Sequence, residues 1–286
     1  MTTIAAALRG AEKHYTRFTL GPLDLTVPKG SIVGRVGENG AGKTTTIKLL
    51  TGGLRPDAGQ AELLGSSPAD PAARARVGVV FEDATFFMGM TPAQIGHSLA
   101  GVFGPAWQPE TYAALLDRFG LDPKQKMKEF SRGMRMKLNL AAALAHAPEL
   151  LVLDEPTAGL DPVMRGELLD LFLDYIQDEN HSILLSSHIT TDLEQTADSI
   201  AYIHKGKLLF QEDKDLLLQE YGVLRCSEAD LRAVPAGAVV FTRRGPLGCE
   251  SLVKGREAVR AALPSAVCDP ARIDDIMRFY AGRDHE

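Results

Sequence analysis

Apolar residues in this chain form short continuous runs that alternate with longer helix-like patterns. Predominantly apolar runs at 77–81, 150–153 and 183–186 predict buried strands, and a helical pattern at 165–177 lies between the last two. Such runs are typical of parallel sheets, because helices cover both faces and remove the polar alternation of a half-exposed strand. The pattern therefore predicts an α/β core.

The pattern changes on either side of this core. Residues 1–36 predict a β-rich opening, and helical patterns dominate from about 84 to 147, so we predict an inserted α-helical subdomain there. After a predicted hairpin about Gly206, short apolar runs between prolines and glycines predict a small C-terminal α+β appendix. We therefore divide the chain into a main domain, residues 1–215, and an accessory region, residues 216–286.

The most specific chemical signal follows a strand-like run at 31–36 and precedes a helix-like run at 44–50. It fills every fixed position of the pattern G-x-x-x-x-G-K-[ST] with Gly37-Glu38-Asn39-Gly40-Ala41-Gly42-Lys43-Thr44-Thr45. Glycines let the backbone approach phosphate oxygens, and the first N–H groups of the helix face the anion. The pattern predicts a nucleotide site with Lys43 at the β- and γ-phosphates and Thr44 on Mg²⁺. The alternative is a glycine-rich turn that matches by chance.

Four further motifs follow in a fixed order. They are Phe130-Ser131-Arg132-Gly133-Met134, Leu150-Leu151-Val152-Leu153-Asp154-Glu155-Pro156-Thr157, Ala158-Gly159-Leu160-Asp161-Pro162 and Ser186-Ser187-His188. In this order and spacing, residues 1 to about 215 resemble an ATP-binding subunit of an ATP-binding cassette (ABC) transporter. The variant motif at 130–134 is similar to that of separate-chain exporter ATPases of the antibiotic-peptide and acetoin-related branch. The resemblance implies a P-loop NTPase core with an antiparallel β subdomain and an inserted α-helical subdomain.

Two acidic residues and a histidine are the candidate catalytic groups beside Lys43. The apolar run that ends in Asp154 places a carboxylate at the strand edge where ligands bind in open α/β sheets. Asp154 is a candidate Mg²⁺ ligand, and Glu155 is similar to the family's general base. The resemblance makes His188 the switch histidine that contacts the γ-phosphate. The alternatives are an acidic strand-ending turn and a structural histidine.

Other site residues rest mainly on the resemblance. It implies that Ser131, Arg132 and Gly133 close over the nucleotide of a partner subunit, although Ser131 is also a plain helix N-cap. It implies that Asp161 belongs to the loop at the dimer seam. It matches Tyr15 to the aromatic that stacks on adenine, and the alternative for Tyr15 is a core position.

The chain departs from the family pattern at several positions. Glu82 stands where glutamine is usual, and a carboxylate there is still able to ligate Mg²⁺. Arg132 and Met134 replace a glycine and the glutamine of the usual Leu-Ser-Gly-Gly-Gln motif. Arg35 lies in a strand predicted to be buried, where a charge is costly unless it is paired. The sequence offers no partner for Arg35.

Composition narrows the function classes. The 286 residues carry a net charge of −6, which argues against a sequence-independent nucleic-acid binder. No apolar run approaches the roughly 18–20 residues of a membrane span, and the first residues lack a signal-peptide pattern. The three cysteines match no metal-binding spacing. We therefore expect a cytoplasmic protein that binds no nucleic acid.

These observations predict an ATPase that binds ATP and Mg²⁺, closes as a homodimer or as a pair with a similar ATPase, and powers a membrane permease on a separate chain. We expect it on the inner face of the cell membrane, docked through residues 84–110, which are rich in methionine and aromatic side chains. The alternative for that segment is packing within the helical subdomain. Two other functions stay open: a non-transport ABC ATPase acting on a soluble macromolecular machine, and a nucleotide-binding module without turnover.

Overall fold

The computed structural model of this chain describes residues 3–38, 40–83, 86–246 and 248–282. Its strands are β1 (Ile4–Tyr15), β2 (Phe18–Pro28), β3 (Ile32–Val36), β4 (Ala58–Leu63), β5 (Val77–Val80), β6 (Leu150–Asp154), β7 (Ser182–Ser186), β8 (Ser199–His204), β9 (Lys207–Asp213), β10 (Tyr221–Cys226), β11 (Val239–Gly245), β12 (Gly248–Lys254) and β13 (Val267–Pro270). Its helices are α1 (Lys43–Leu50), α2 (Pro71–Arg74), α3 (Pro92–Phe103), α4 (Pro109–Arg118), α5 (Arg132–Leu144), α6 (Pro162–Tyr175), α7 (Thr190–Thr196), α8 (Lys214–Glu220), α9 (Glu228–Leu231), α10 (Arg256–Ala262) and α11 (Ile273–Ala281).

A central sheet carries the order β5-β6-β7-β3-β8-β9. The pairs from β5 to β8 are parallel, and β9 closes the sheet as an antiparallel hairpin with β8. Every residue of β3, β6 and β7 is buried, as expected for strands covered on both faces. The predicted α/β core is confirmed, and the carboxyl ends of β3, β6 and β7 lie side by side at one edge.

An antiparallel sheet of order β2-β1-β4 packs on this core. Leucines of β2 and α1 share an apolar cluster with buried residues of β3, β6 and β7; the cluster includes Leu20, Leu23, Leu25, Ile47, Leu49, Val33, Val152 and Leu184. Helix α1, which follows the phosphate-binding loop, is therefore held between two sheets.

Helices α3, α4 and α5 have an apolar cluster of their own. It includes Ile95, Tyr112, Leu116, Phe130 and Leu138. Trp107 is buried in this cluster, with its ring 6.1 Å from Phe103 and 5.1 Å from Tyr112. Trp107, which lies within the segment 84–110, therefore packs the helices together, as the alternative for that segment predicted.

The last part of the described chain forms a sheet of order β11-β12-β10-β13. Its helix α11 packs on the main core, where the Tyr280 ring contacts Phe210 at 5.3 Å and Phe241 at 4.9 Å. The backbone N–H of Ile273 donates to the Glu194 carboxylate on α7. Residues of this region thus share the principal apolar core with the central sheet. Across the described ranges, no helix has the length and apolar character that crossing a membrane requires.

Candidate functional site

The loop between β3 and α1 has a backbone that only glycine fits at two points. A Cβ on Gly37 would lie 2.3 Å from the carbonyl oxygen of Ile203. Gly42 has a φ of 103°, and a Cβ there would meet Leu20 Cδ1 at 2.4 Å. These contacts press the loop closely against β8 and β2. The loop also includes Glu38, Gly40 and Ala41, and Thr45 lies in the first turn of α1. The predicted Asn39 lies outside the described residues.

Lys43 joins this loop to the end of β6. Its ammonium donates to the Gly37 carbonyl at 2.8 Å and forms an ion pair with Glu155 Oε1 at 2.8 Å. Both side chains are buried, so little water screens the pair. The cation of the phosphate-binding pattern and the candidate base therefore meet at one point.

Thr44 and Asp154 form the oxygen-rich side of the site. The Thr44 hydroxyl donates to Asp154 Oδ2 at 2.9 Å. The other carboxylate oxygen, Oδ1, is buried and accepts no hydrogen bond from any residue that the structure describes. A hydroxyl beside a carboxylate with an unused oxygen fits a small hard cation such as Mg²⁺.

Glu155 adopts a strained backbone conformation at the edge of the sheet. Its φ is 53°, in the left-handed region that residues with a side chain seldom occupy. Burial alone would raise the pKa of its carboxyl, but the Lys43 ammonium and the two His188 donors lower this pKa below its ordinary value. Glu155 is therefore an ionised carboxylate at neutral pH.

His188 follows the neighbouring strand, β7, and contacts the same carboxylate. Its Nδ1 lies 2.6 Å from Glu155 Oε2, and its backbone N–H donates to that oxygen at 3.1 Å. The imidazole is 55 % exposed. Lys43, the adjacent pair Asp154 and Glu155, and His188 come from three separate segments of the chain and are thus brought together at one sheet edge.

The predicted partner-facing residues lie at the starts of two other helices. Ser131 caps α5 by accepting a hydrogen bond from the Met134 N–H at 3.2 Å. Asp161 caps α6 through the N–H groups of Val163 and Met164. A Cβ on Gly133 would lie 2.1 Å from the sulfur of Met164, so glycine lets α5 and α6 approach each other.

Two of the departures from the family pattern pair with each other. Arg132 donates to Glu82 Oε1 at 2.9 Å, and both side chains are about half exposed. The Arg132 guanidinium also lies against Gly159, where a Cβ would be 3.0 Å from its Nη1. In this arrangement the predicted metal ligand Glu82 neutralises Arg132.

Tyr15 stands at the end of β1 and is 45 % exposed, so it is not a core residue. Its ring lies 6.4 Å from that of Phe18. Phe18 in turn lies against Gly42, where a Cβ would be 3.1 Å from its ring. An exposed aromatic is therefore available next to the phosphate-binding loop.

Arg35 is the charged residue for which the sequence indicated burial but no partner. It is completely buried at the sheet edge, where it donates to the Lys43 carbonyl and to the Ser186 hydroxyl. Its Nη2 lies 3.7 Å from Asp154 Oδ1. The signal in the sequence was a charge within an apolar strand, but its partners come from α1, β6 and β7.

Known proteins share this combination of motifs and fold. A family model described as ABC transporter matches residues 20–158. The bacitracin transport ATP-binding protein BcrA of Bacillus licheniformis is 35% identical over 216 residues, 73% of this chain and 69% of that protein. The daunorubicin/doxorubicin resistance ATP-binding protein DrrA of Streptomyces peucetius is 36% identical over 221 residues, 74% and 67% of the two chains. A solved ATP binding subunit of an ABC transporter has a TM-score of 0.67 and 28% identity, covering 76% of this chain and 92% of its own.

Proposed function

The chain belongs to the ABC transporter family, and from this premise we propose that it is an ATPase subunit that powers a separate membrane permease, most directly an exporter. The observation that carries the proposal is the contact of Lys43 and His188 with the Glu155 carboxylate, beside Thr44 and Asp154. These groups are the parts needed to bind nucleotide phosphates and to activate water. The names of BcrA and DrrA, which refer to bacitracin transport and drug resistance, support export.

Each residue of the cluster has a distinct role in this proposal. Backbone N–H groups at the start of α1 and the Lys43 ammonium bind the phosphates of ATP. Thr44 and Asp154 hold Mg²⁺, which when bound neutralises phosphate charge as the γ-phosphoryl group leaves. Glu155 accepts a proton from the attacking water. His188 fixes the carboxylate through Oε2 and presents its exposed edge to the γ-phosphate.

We propose that the second half of each site comes from another subunit. Ser131, Arg132 and Gly133 lie at the start of α5, whose free N–H groups and dipole attract a phosphate. The exposure of Ser131 and Arg132 at the helix start supports contact with the nucleotide of a second copy or a similar ATPase, and Asp161 caps the start of α6. Tyr15 is proposed to stack on adenine from within the same chain.

The permease is proposed to contact residues 84–110. Phe87 in this segment is 77 % exposed, which is unusual for a large aromatic side chain. The preceding residue, Phe86, lines an apolar cavity of about 350 Å³ between β5, α3 and α5, together with Val79 and Leu99. Such a surface suits an apolar helix of a membrane partner and would hold the ATPase on the inner face of the membrane. We propose that residues 1–215 are the ATPase domain and that residues 216–286 are a C-terminal region accessory to it.

Replacing Glu82 with Gln tests its proposed part in metal binding. We expect the Mg²⁺ concentration for half-maximal ATP hydrolysis to rise about three- to tenfold, because a site with fewer charged ligands binds a divalent cation more weakly. The measurement is a Mg²⁺ titration of hydrolysis at fixed ATP. Asp83→Asn is the matched control, since it removes the neighbouring exposed carboxylate, and it should leave the titration within about twofold of the wild type. Superimposable curves for Glu82→Gln and wild type would exclude Glu82 as a ligand.

Hydrolysis of ATP by the purified chain tests the proposed function directly. The expected result is release of inorganic phosphate that requires both ATP and Mg²⁺. Nucleotide binding without any turnover, alone and with the permease present, would instead favour a regulatory module.

A further inference from the structure

Arg35 is the largest side chain with no exposure to solvent, and it lies in β3 immediately before the phosphate-binding loop. A buried guanidinium is unfavourable unless its donors and its charge are matched. Its role therefore depends on what surrounds it.

The surroundings of Arg35 come from three elements of the ATP site. Nη1 donates to the carbonyl of Lys43, the first residue of α1. Nη2 donates to Ser186 Oγ at 2.9 Å, two residues before His188 on the chain. The same nitrogen lies 3.7 Å from Asp154 Oδ1. The rigid planar guanidinium thus connects the start of α1, the carboxylate of Asp154 at the end of β6, and the end of β7, which precedes His188.

The charges around this group are balanced. Burial lowers the pKa of Arg35 and the Asp154 and Glu155 carboxylates offset part of this, so its pKa is about 10 and the guanidinium is cationic at neutral pH. Arg35 and Lys43 together offset the two carboxylates, Asp154 and Glu155. A divalent cation bound at Thr44 and Asp154 would therefore face a fixed positive charge across a poorly screened, buried region.

We propose that Arg35, by its charge, limits how strongly the site at Thr44 and Asp154 attracts Mg²⁺. This rests on the proposed ATPase function. The consequence is that Mg²⁺ enters mainly together with the phosphates of ATP, whose negative charge offsets the repulsion from Arg35. Free Mg²⁺ alone is bound weakly.

Binding of a fluorescent ATP analogue to the full chain, titrated with MgCl₂, tests this inference without relying on turnover. Arg35→Met removes the charge at similar length, and Arg35→Lys keeps the charge but loses the forked donor geometry. We expect Arg35→Met to lower the half-saturating Mg²⁺ concentration about tenfold, which corresponds to about 1.4 kcal/mol. We expect Arg35→Lys to stay within about twofold of the wild type.

Several outcomes separate this role from a purely structural one. A changed unfolding temperature with an unchanged Mg²⁺ midpoint in Arg35→Met would overturn the inference, and so would a midpoint that moves to higher Mg²⁺. If Arg35→Met does not fold, Arg35→Gln replaces it, because glutamine retains a donor for the Lys43 carbonyl, and the same shift is expected. Failure of the wild type itself to bind the analogue would contradict the proposed function rather than the role of Arg35.

Discussion

Glu155→Gln is expected to lower the rate of ATP hydrolysis by about 10²–10⁴-fold while ATP still binds. Glutamine has nearly the same shape, but only one of its two head-group atoms is an oxygen, so it can keep the contact to Lys43 or to His188 and not both. The fold at this sheet edge should persist, because β6 and β7 are completely buried. What is lost is the ability to take a proton from water. The measurement is phosphate release at saturating MgATP, together with binding of a fluorescent ATP analogue.

A surface substitution provides the control for this prediction. Glu179→Gln changes an exposed glutamate in the turn before β7 and should leave both hydrolysis and binding near the wild-type values. If Glu155→Gln hydrolysed ATP within a few-fold of the wild type, Glu155 would not be the general base, and a different group would have to accept the proton.

Lys43→Ala is expected to have the second large effect, on binding as well as on hydrolysis. The ammonium is buried, and its loss removes a charge-assisted contact to the phosphates, for which about 1.5–3 kcal/mol is typical. Nucleotide affinity should therefore fall about ten- to a hundredfold, and hydrolysis should fall further. The substitution also leaves the Glu155 carboxylate without its cation, so we expect a lower unfolding temperature in the absence of nucleotide.

Lys48→Ala separates this effect from a general change of charge or of helix α1. Lys48 lies on the same helix but is exposed, so its removal should change nucleotide affinity by less than about twofold. Equal losses of affinity in the two variants would mean that Lys43 acts only through the net charge of the helix. Affinity would be followed by titration with the fluorescent analogue.

Local patterns in the sequence predicted the parts of the site that depend on adjacent residues. The phosphate-binding loop was predictable because its glycines, lysine and threonine lie within eight positions of each other in the chain. The positive φ of Gly42 and the close backbone approach at Gly37 occur at residues of this same short segment. The apolar run ending at Asp154 likewise indicated a buried strand and thus a carboxylate at the sheet edge. The helical subdomain predicted at about 84–147 contains α3, α4 and α5.

The contacts between distant segments were not predictable in the same way. Arg132 and Glu82 are 50 positions apart, and their pairing depends on how α5 packs beside β5. Arg35 could be identified as a buried charge, but its partners required knowledge of the strand order β6-β7-β3. The start of β4 at Ala58 carries little signal in the sequence, because β4 is an edge strand whose first residues are small or polar and include Gly59.

The packing of the C-terminal residues against the main core was also not predictable from the sequence. An α+β appendix was predicted from alternating short runs, but not the docking of α11. That docking depends on aromatic contacts such as those of Tyr280 with Phe210 and Phe241, which come from separate segments. The contact of Ile273 with Glu194 places α11 on the helix that follows His188.

We expect two ATP sites to close between two subunits through Ser131, Arg132 and Gly133. The most direct test is the molar mass of Glu155→Gln in solution, measured with and without MgATP, because slowed hydrolysis preserves the closed state. Without nucleotide we expect the mass of one chain, and with MgATP we expect a doubled mass. A mass that remains that of one chain, while bound ATP is measured in the same sample, would contradict closure between two copies.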